Sequence, residues 1–338
     1  MRSDESMNPV DETNFHIENS IVLRISIMNP FTKLSSRTIG TNSTGKNVGF
    51  IGVGNMGSGM AMNLLKKRFK VTVFDKAGET PNVIDLREAG ASVTTTLDEL
   101  VVKNDVLISM VPSTKHVQEL YLSPSGILSS LNSSKKSLFL DCSTIDPLAS
   151  RVIGDACRLK GHSFIDAPVS GGVLGARAGT LTFMVGAGSD SEFSLVEPVL
   201  SAMGKPINCG GWGKGAAVKI CNNLILAASM LGVAEGYALA QKLGVDLGTF
   251  DKIVNSSTGK CWSSEQYNPV PGLREGIPSS NEYKGGFAID LMVKDLGLAI
   301  DVAGDKGSVA QFCENEYSKV GNLGFGHLDF SSVFKYLN

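Results

Sequence analysis

The chain has 338 residues, of which 42% are hydrophobic and 19% are charged, and its formal net charge is −2. This composition is typical of a soluble globular protein with room for two domains, and it excludes disordered and fibrous classes. A charge close to zero gives no general attraction to nucleic acid, and no uninterrupted apolar run reaches the ~20 residues that span a membrane. None of the six cysteines forms a CxxC pair, so we predict free thiols in a reducing compartment and no metal site.

Residues 1–46 are polar, have no sustained hydrophobic period and predict a disordered tail. The tail is acidic at first, but from Met28 it is basic, rich in serine and threonine, and free of acidic residues. That is the composition of a transit segment, so we predict import into the mitochondrial matrix. Met28 is then the expected start, because the acidic residues before it do not suit a transit segment. A disordered cytosolic tail is the alternative interpretation.

Residues 47–75 carry the pattern of a dinucleotide-binding unit. NVGFIG predicts a strand, a G-x-G-x-x-G loop follows it, SGMAMNLLKKRF has a helical period, and KVTVFD is a second strand. Gly52 permits a tight turn, Gly54 lets the backbone approach a pyrophosphate, and Gly57 lets the helix lie close to the strand. The helix N-terminus offers free N–H groups to the phosphates. The predicted cofactor contacts in this loop are Gly52, Val53, Gly54, Asn55, Met56 and Gly57.

Asp75 ends the second strand, 18 residues after Gly57. A carboxylate at this place can accept hydrogen bonds from ribose hydroxyls and would repel a 2′-phosphate, so NAD is favoured over NADP. The neighbouring Lys76 weakens the preference, and the alternative is that Asp75 serves only as a turn residue at the strand end.

Strands and helices continue to alternate as far as residue 186, which predicts a doubly wound α/β sheet of the Rossmann type. Ligands of such sheets lie beyond the carboxyl ends of the strands. The loops at Val111–Pro112, Ser143–Thr144 and Ser170–Gly172 should therefore face the site. The further predicted strands are DVLISMV (105–111), SLFLDCST (137–144) and LTFMVG (181–186), together with SFIDAPVSGG (163–172), which is predicted as a strand ending in a loop.

The segment Ser170-Gly171-Gly172 offers one hydroxyl and two backbone N–H groups that no side chain shields. Such a backbone concavity suits a carboxylate or another anion. A plain glycine-rich turn is the alternative interpretation of the same residues.

The hydrophobic period becomes helical after residue 210. The glycine-rich segment CGGWGKG leads into a long helix, about 214–243, which is apolar on nearly every face and should be buried all round. We therefore predict a NAD-binding domain at 47–210 and an all-α C-terminal domain at 211–338 built on this helix. Its further helices are expected at about 246–255, 290–304, 308–321 and 329–336.

Lys219 is the candidate general base. It lies inside the apolar helix with no acidic residue nearby in the sequence, so burial should lower its pKa toward the range useful for proton transfer. Asn223 is one turn further on the same face, whereas Asn222 should point elsewhere. The alternative is a lysine whose stem packs while its amine reaches water. No histidine is a convincing base, since His16 is in the tail and the others, His116, His162 and His327, are poorly placed.

Four motifs in order resemble the β-hydroxyacid dehydrogenase family: GVGNMGSGMAMNL, DAPVSGG, the Gly215–Lys219–Asn223 spacing, and KDL at 294–296. The segments CWSSEQYNPVPG (261–272) and DFSSVF (329–334) are similar to members that oxidise 3-hydroxyisobutyrate to methylmalonate semialdehyde with NAD in valine breakdown. The resemblance covers residues 47–338 and implies a homodimer or homotetramer.

The same resemblance implies roles for individual residues. Lys219 would be the general acid or base. The substrate would be held by Ser170, Gly171, Gly172 and Asn223. Besides the glycine loop and Asp75, the cofactor would contact Val111, Pro112, His116, Thr144 and Lys294.

Two other interpretations remain open. One is an enzyme for another short β-hydroxyacid, such as a reductase of tartronate semialdehyde. The other is a non-catalytic dehydrogenase-like binding module, but such relatives lack the lysine that is present here as Lys219.

Overall fold

The computed structural model describes residues 46–131 and 136–337. The predictions for residues 1–45 lie outside the described residues. The described chain forms a parallel sheet flanked by helices, a second small sheet, and a helical C-terminal region, which confirms the predicted fold class. The strands are β1 (Asn47–Ile51), β2 (Lys70–Phe74), β3 (Ser92–Val93), β4 (Val106–Ser109), β5 (Leu138–Asp141), β6 (Ser163–Asp166), β7 (Val169–Ser170), β8 (Leu181–Val185) and β9 (Gly204–Asn208).

The helices of the first region alternate with these strands. They are α1 (Asn55–Lys66), α2 (Pro81–Glu88), α3 (Leu97–Lys103), α4 (Thr114–Leu122), α5 (Ile127–Ser130), α6 (Pro147–Leu159), α7 (Gly172–Ala178) and α8 (Asp190–Leu200). Two of them begin at residues that favour a helix start: Thr96 caps α3 by accepting from the backbone N–H of Glu99, and Pro147 opens α6 behind the cap Asp146. The C-terminal helices are α9 (Lys214–Lys242), α10 (Leu247–Ser256), α11 (Trp262–Glu265), α12 (Ile289–Ala303), α13 (Ser308–Val320) and α14 (Val333–Leu337).

The large sheet has the order β3-β2-β1-β4-β5-β6, and all of its strand pairs are parallel. The chain moves outward from β1 to β3 on one side and from β4 to β6 on the other. The crevice between the two directions lies at the carboxyl ends of β1 and β4, where open α/β sheets bind ligands. The register places Ser109, Asp141 and Asp166 side by side at the ends of β4, β5 and β6.

The segment 163–172 was predicted as one strand ending in a loop, but it contains two strands, β6 and β7. β6 ends the large sheet at Asp166, and β7 turns away after Pro168 to pair antiparallel with β8. Proline has no N–H to donate to the ladder, which favours a strand break at this place. β8 also pairs parallel with β9, a strand that the sequence did not predict. The result is a separate three-stranded sheet that carries Ser170 at the end of β7.

Fewer than half of the residues of α9 are buried, so the expectation that the helix is buried all round is wrong. Its exposed residues include Val218, Ile225 and Leu239, and Ile225 is 70% exposed. By length and composition alone α9 could cross a membrane. In this fold it packs against α6 and β8 near its start and against α12, α13 and α14 further along. The predicted domain boundary at 210/211 falls between β9 and α9 and stays a prediction.

Candidate active site

The glycine loop joins β1 to α1 in the conformation that its sequence requires. Gly52 has φ +83°, and a Cβ there would lie 2.3 Å from the carbonyl oxygen of Met110. A Cβ on Gly57 would lie 2.0 Å from the carbonyl oxygen of Gly52, so the close approach of helix and strand needs glycine. A Cβ on Gly54 would meet nothing within 4 Å, and α1 has neither a side-chain cap nor an acidic residue in its first turn. The open helix N-terminus therefore fits a phosphate.

Asp75 holds the glycine loop as well as facing it. Its Oδ2 accepts a hydrogen bond from the backbone N–H of Val53 at 2.9 Å, and its Oδ1 accepts from Ala77 at 2.9 Å. The side chain of Asn82 donates to the carbonyl of Val53 at 3.0 Å, a support that the sequence analysis missed. The two interpretations of Asp75 are thus compatible, since a carboxylate that fixes the turn also brings negative charge to the loop.

The loops after β4 and β5 lie next to each other. The backbone N–H of Val111 donates to Ser143 Oγ at 3.0 Å, and Pro112 follows it directly. His116, in the first turn of α4, is exposed, and its Nδ1 lies 2.8 Å from Ser113 Oγ. The carbonyl oxygen of Thr144 accepts from Lys294 Nζ at 2.8 Å, which connects the sheet to the helical region.

Lys219 is 8% exposed, and its Nζ donates to Asn223 Oδ1 at 2.9 Å. Burial lowers the pKa of Lys219 to about 8, and the positive charge of Lys294 adds to this while Asp295 opposes it. The direction agrees with the sequence-based expectation. A lysine with this pKa loses its proton near pH 8 instead of above pH 10, and an uncharged amine can accept a proton.

An acidic residue does lie near Lys219, although not in the neighbouring sequence. Asn223 Nδ2 donates to Asp295 Oδ2 at 2.6 Å, and Asp295 is 2% exposed. Lys294 Nζ forms an ion pair with the other carboxylate oxygen of Asp295 at 2.8 Å. Asn222 also differs from the prediction, because its Nδ2 donates to Asn223 Oδ1 at 3.2 Å. The KDL motif was the signal that could have identified Asp295.

Ser170, Gly171 and Gly172 lie at the end of β7 and the start of α7. Gly171 has φ +129° and Gly172 has φ +62°, so both adopt backbone conformations that favour glycine. Ser170 is partly exposed and available to a ligand. Among the residues that the structure describes, no hydrogen bond joins this segment to Lys219, Asn223 or Lys294.

The N-terminus of α9 is fixed by Asp166. Its Oδ1 accepts from the backbone N–H of Gly213 and its Oδ2 from that of Ala216, both at 2.8 Å. A Cβ on Gly215 would lie 2.1 Å from the carbonyl oxygen of Met184, so the helix start presses against β8. Asp166 therefore determines where α9 begins and, one turn later, where Lys219 lies.

Two other features lie apart from this site. His162 is buried, its Nδ1 accepts from the backbone N–H of Ser137, and burial lowers its pKa, which favours the neutral form in a structural role. An open cavity of about 870 Å³ is lined by residues that include Gln241, Tyr283 and Lys335. None of the predicted site residues lines it.

The fold and the site together define a class of protein. A Rossmann-type sheet carries the glycine loop and Asp75, and a helical region supplies a buried lysine of lowered pKa beside the carboxyl ends of the strands. This is the arrangement of a dehydrogenase that uses a nicotinamide dinucleotide.

Comparison with known proteins makes the assignment specific. Residues 47–213 match the NAD-binding domain of 6-phosphogluconate dehydrogenase, and residues 213–337 match the NAD-binding domain of NADP-dependent 3-hydroxyisobutyrate dehydrogenase. The mitochondrial 3-hydroxyisobutyrate dehydrogenase of Rattus norvegicus is 45% identical over 86% of this chain and 86% of its own length. That of Drosophila melanogaster is 41% identical over 93% of this chain and 96% of its own length. The chain belongs to the 3-hydroxyisobutyrate dehydrogenase family.

A solved structure agrees with this result. The 3-hydroxyisobutyrate dehydrogenase of Mycobacterium tuberculosis, solved with L-serine, is 36% identical over 87% of this chain and 99% of its own, with a TM-score of 0.78. The predicted enzyme class, NAD as cofactor and the family resemblance are therefore confirmed. The mitochondrial names of the relatives support the predicted mitochondrial location.

Proposed function

We propose that this enzyme oxidises 3-hydroxyisobutyrate to methylmalonate semialdehyde with NAD, as a step of valine breakdown in the mitochondrial matrix. The observation that carries the proposal is the buried Lys219, whose pKa is lowered to about 8 and whose amine is oriented by Asn223. The names of the relatives supply the substrate.

Lys219 accepts the proton of the substrate hydroxyl during oxidation and returns it during reduction. Asn223 holds the lysine amine through Oδ1, while the second N–H of its amide remains for the substrate. Ser170 and the N–H groups of Gly171 and Gly172 bind the substrate carboxylate, so that the hydroxyl is presented to the lysine.

The cofactor is held by residues that fit it. The open start of α1 and the backbone of residues 52–57 would hold the pyrophosphate, and Asp75 would bind the adenosine ribose. Val111, Pro112, His116, Thr144 and Lys294 would hold the nicotinamide side. Bound NAD supplies the acceptor of the hydride that leaves the carbinol carbon.

A substrate and cofactor panel tests this function. The purified enzyme is assayed with 3-hydroxyisobutyrate, glycerate and serine, each with NAD and with NADP. We expect the highest kcat/KM for 3-hydroxyisobutyrate with NAD. A clear preference for glycerate would instead support the enzyme of another short β-hydroxyacid, and equal use of NADP would contradict the role given to Asp75.

The proposal includes an oligomer and two domains. The exposed residues of α9 lie along one stripe, and its apolar members Val218, Ile225 and Leu239 are seven or fourteen residues apart. Such a stripe suits helix packing against a second copy in a homodimer or homotetramer.

Two separate hydrophobic clusters, one on the large sheet and one among the C-terminal helices, support the division at 210/211. Sequencing the N-termini of the precursor and the mature protein tests import and the start at Met28.

A further inference from the structure

The buried carboxyl group of Asp141 is not used by the mechanism above. Asp141 ends β5 and is fully buried, and its Oδ1 accepts from Ser109 Oγ at 2.8 Å and from Ser143 Oγ at 2.7 Å. Its Oδ2 is buried and has no hydrogen-bond partner among the residues that the structure describes. Burial raises the pKa of Asp141 to about 7, although the two serines oppose this. Burying a carboxyl group in a protein core costs free energy, so we expect Asp141 to have a role beyond packing.

Ser143 connects Asp141 to a second loop. Its hydroxyl donates to Asp141 Oδ1, and its oxygen accepts from the backbone N–H of Val111 at 3.0 Å. Val111 belongs to the loop after β4 and Ser143 to the loop after β5. One hydroxyl group therefore fixes the spacing of two neighbouring loops at the carboxyl edge of the sheet.

The contacts continue into the helical region. The residue after Ser143 is Thr144, whose carbonyl oxygen accepts from Lys294 Nζ, and Lys294 is paired with Asp295. The Asp295 carboxylate accepts a hydrogen bond from the amide of Asn223, and the amide oxygen of Asn223 accepts one from Lys219. A continuous series of polar contacts thus runs from the loops of the sheet to the candidate general base.

We propose that Asp141 and Ser143 are positioning residues for the nicotinamide half of the cofactor. The pyrophosphate belongs at α1 and the adenosine ribose at β2, so the other nucleoside must lie over the ends of β4 and β5. Asp141 orients the hydroxyl of Ser143, Ser143 holds the Val111 loop, and the adjacent Thr144 carbonyl positions Lys294. The inference rests on the proposed function, because the cofactor roles of Val111, Thr144 and Lys294 are part of it.

Ser143→Ala removes the connecting hydroxyl with little change in volume. Its control is Ser150→Ala, because Ser150 is equally buried and its Oγ has no hydrogen-bond partner among the described residues. The dissociation constant of NADH is measured by fluorescence titration well below the unfolding temperature, and Tm is measured in parallel. We expect NADH binding to weaken about threefold to tenfold in Ser143→Ala and less than about twofold in Ser150→Ala.

A merely structural role would lower Tm and leave NADH affinity unchanged, and that result would overturn the proposal. A double-mutant cycle with Lys294→Met tests the path through Thr144. In the Lys294→Met background, Ser143→Ala should cost less affinity than it does in the wild type, whereas full additivity would exclude this path. The NADH titration contains no substrate. A failure of the enzyme to oxidise 3-hydroxyisobutyrate would therefore overturn the proposed function, but the effect of Ser143→Ala on NADH binding could still be interpreted.

Discussion

At the scale of single residues, the lowered pKa of Lys219 depends on an amide placed between two charges. Asp295 would raise the pKa of Lys219 strongly if it formed a direct ion pair with the ammonium group. Instead Asn223 accepts from the lysine and donates to the carboxylate, and Lys294 neutralises the carboxylate from the other side. Burial remains the largest influence on Lys219, and the lysine can lose its proton near physiological pH.

The pH dependence of oxidation should follow Lys219. Because the general base must be uncharged, kcat/KM should rise with pH and level off above about 8. Lys219→Ala should lower kcat by about 10²-fold to 10⁴-fold and still bind NADH. Lys242→Ala, at the exposed far end of the same helix, is the control. Near-wild-type turnover of Lys219→Ala would show that another group takes the proton.

Asp141 should make stability depend on pH. The folded protein holds the Asp141 proton up to about pH 7, whereas the unfolded chain loses it near the ordinary value of 3.8. Between these values the folded state binds more protons, so a rise in pH lowers the free energy of unfolding, by at most about 4 kcal/mol. Asp141→Asn removes this contribution, so the stability of the variant relative to wild type should increase between about pH 4 and pH 7 in urea unfolding. Asp85→Asn makes the same charge change at an exposed site, and a difference independent of pH would contradict the prediction.

Residue patterns could identify some of these groups and not others. The glycine loop and the pair Lys219 and Asn223 are each local in sequence, so fixed spacing predicts them. Asp295 reaches Asn223 across 72 residues, and Ser143 reaches Val111 across 32. No spacing rule covers such contacts, because they depend on the register of strands and the packing of helices.

At the scale of elements, local propensity predicted the types of the long elements well. The long helix was expected at about 214–243 and is observed as Lys214–Lys242. The strands that were not predicted are β3, β7 and β9. The first two have only two residues each and carry almost no periodic signal, and β9, GKPIN, contains proline and is largely exposed. The burial of α9 was also overestimated, because in the sequence exposed apolar residues cannot be distinguished from apolar residues of the core.

The start of α9 offers a test at this scale. In Asp166→Asn one acceptor oxygen becomes an NH₂ group that faces a backbone N–H of Gly213 or Ala216. We expect the free energy of unfolding to fall by about 1–3 kcal/mol, as for other buried groups left unpaired. Asp98→Asn, in the exposed first turn of α3, should change it by less than about 0.5 kcal/mol. Equal effects in urea unfolding would contradict the anchoring role of Asp166.

At the scale of the whole molecule, the surface of α9 bears on assembly. Its most exposed residues are separated by three, four or seven positions, from Val218 and Cys221 through Ile225 to Leu239. Large exposed apolar side chains in a row indicate a contact with another protein surface. A second copy of the chain is the partner in our proposal.

Ile225→Glu should therefore dissociate the oligomer, because it places a charge in the middle of the stripe. Light scattering after size-exclusion chromatography measures the mass. Leu159→Glu introduces the same charge at a side chain that is 79% exposed on α6, and it should leave the mass unchanged. An unchanged mass for Ile225→Glu would place the subunit contact elsewhere.

The anchoring of α9 by Asp166 also constrains the order in which the chain can fold. The N–H groups that Asp166 accepts from lie 47 and 50 residues further along the chain. Asp166 reaches the position from which it accepts these hydrogen bonds only after β6 has joined the sheet. We therefore expect the sheet to form before the start of α9 is fixed, which is also the order of synthesis. Pulse-labelled hydrogen exchange during refolding would then show protection of β6 amides ahead of those at the start of α9. The reverse order would mean that the helix assembles with its C-terminal neighbours first and docks onto the sheet as a preformed unit.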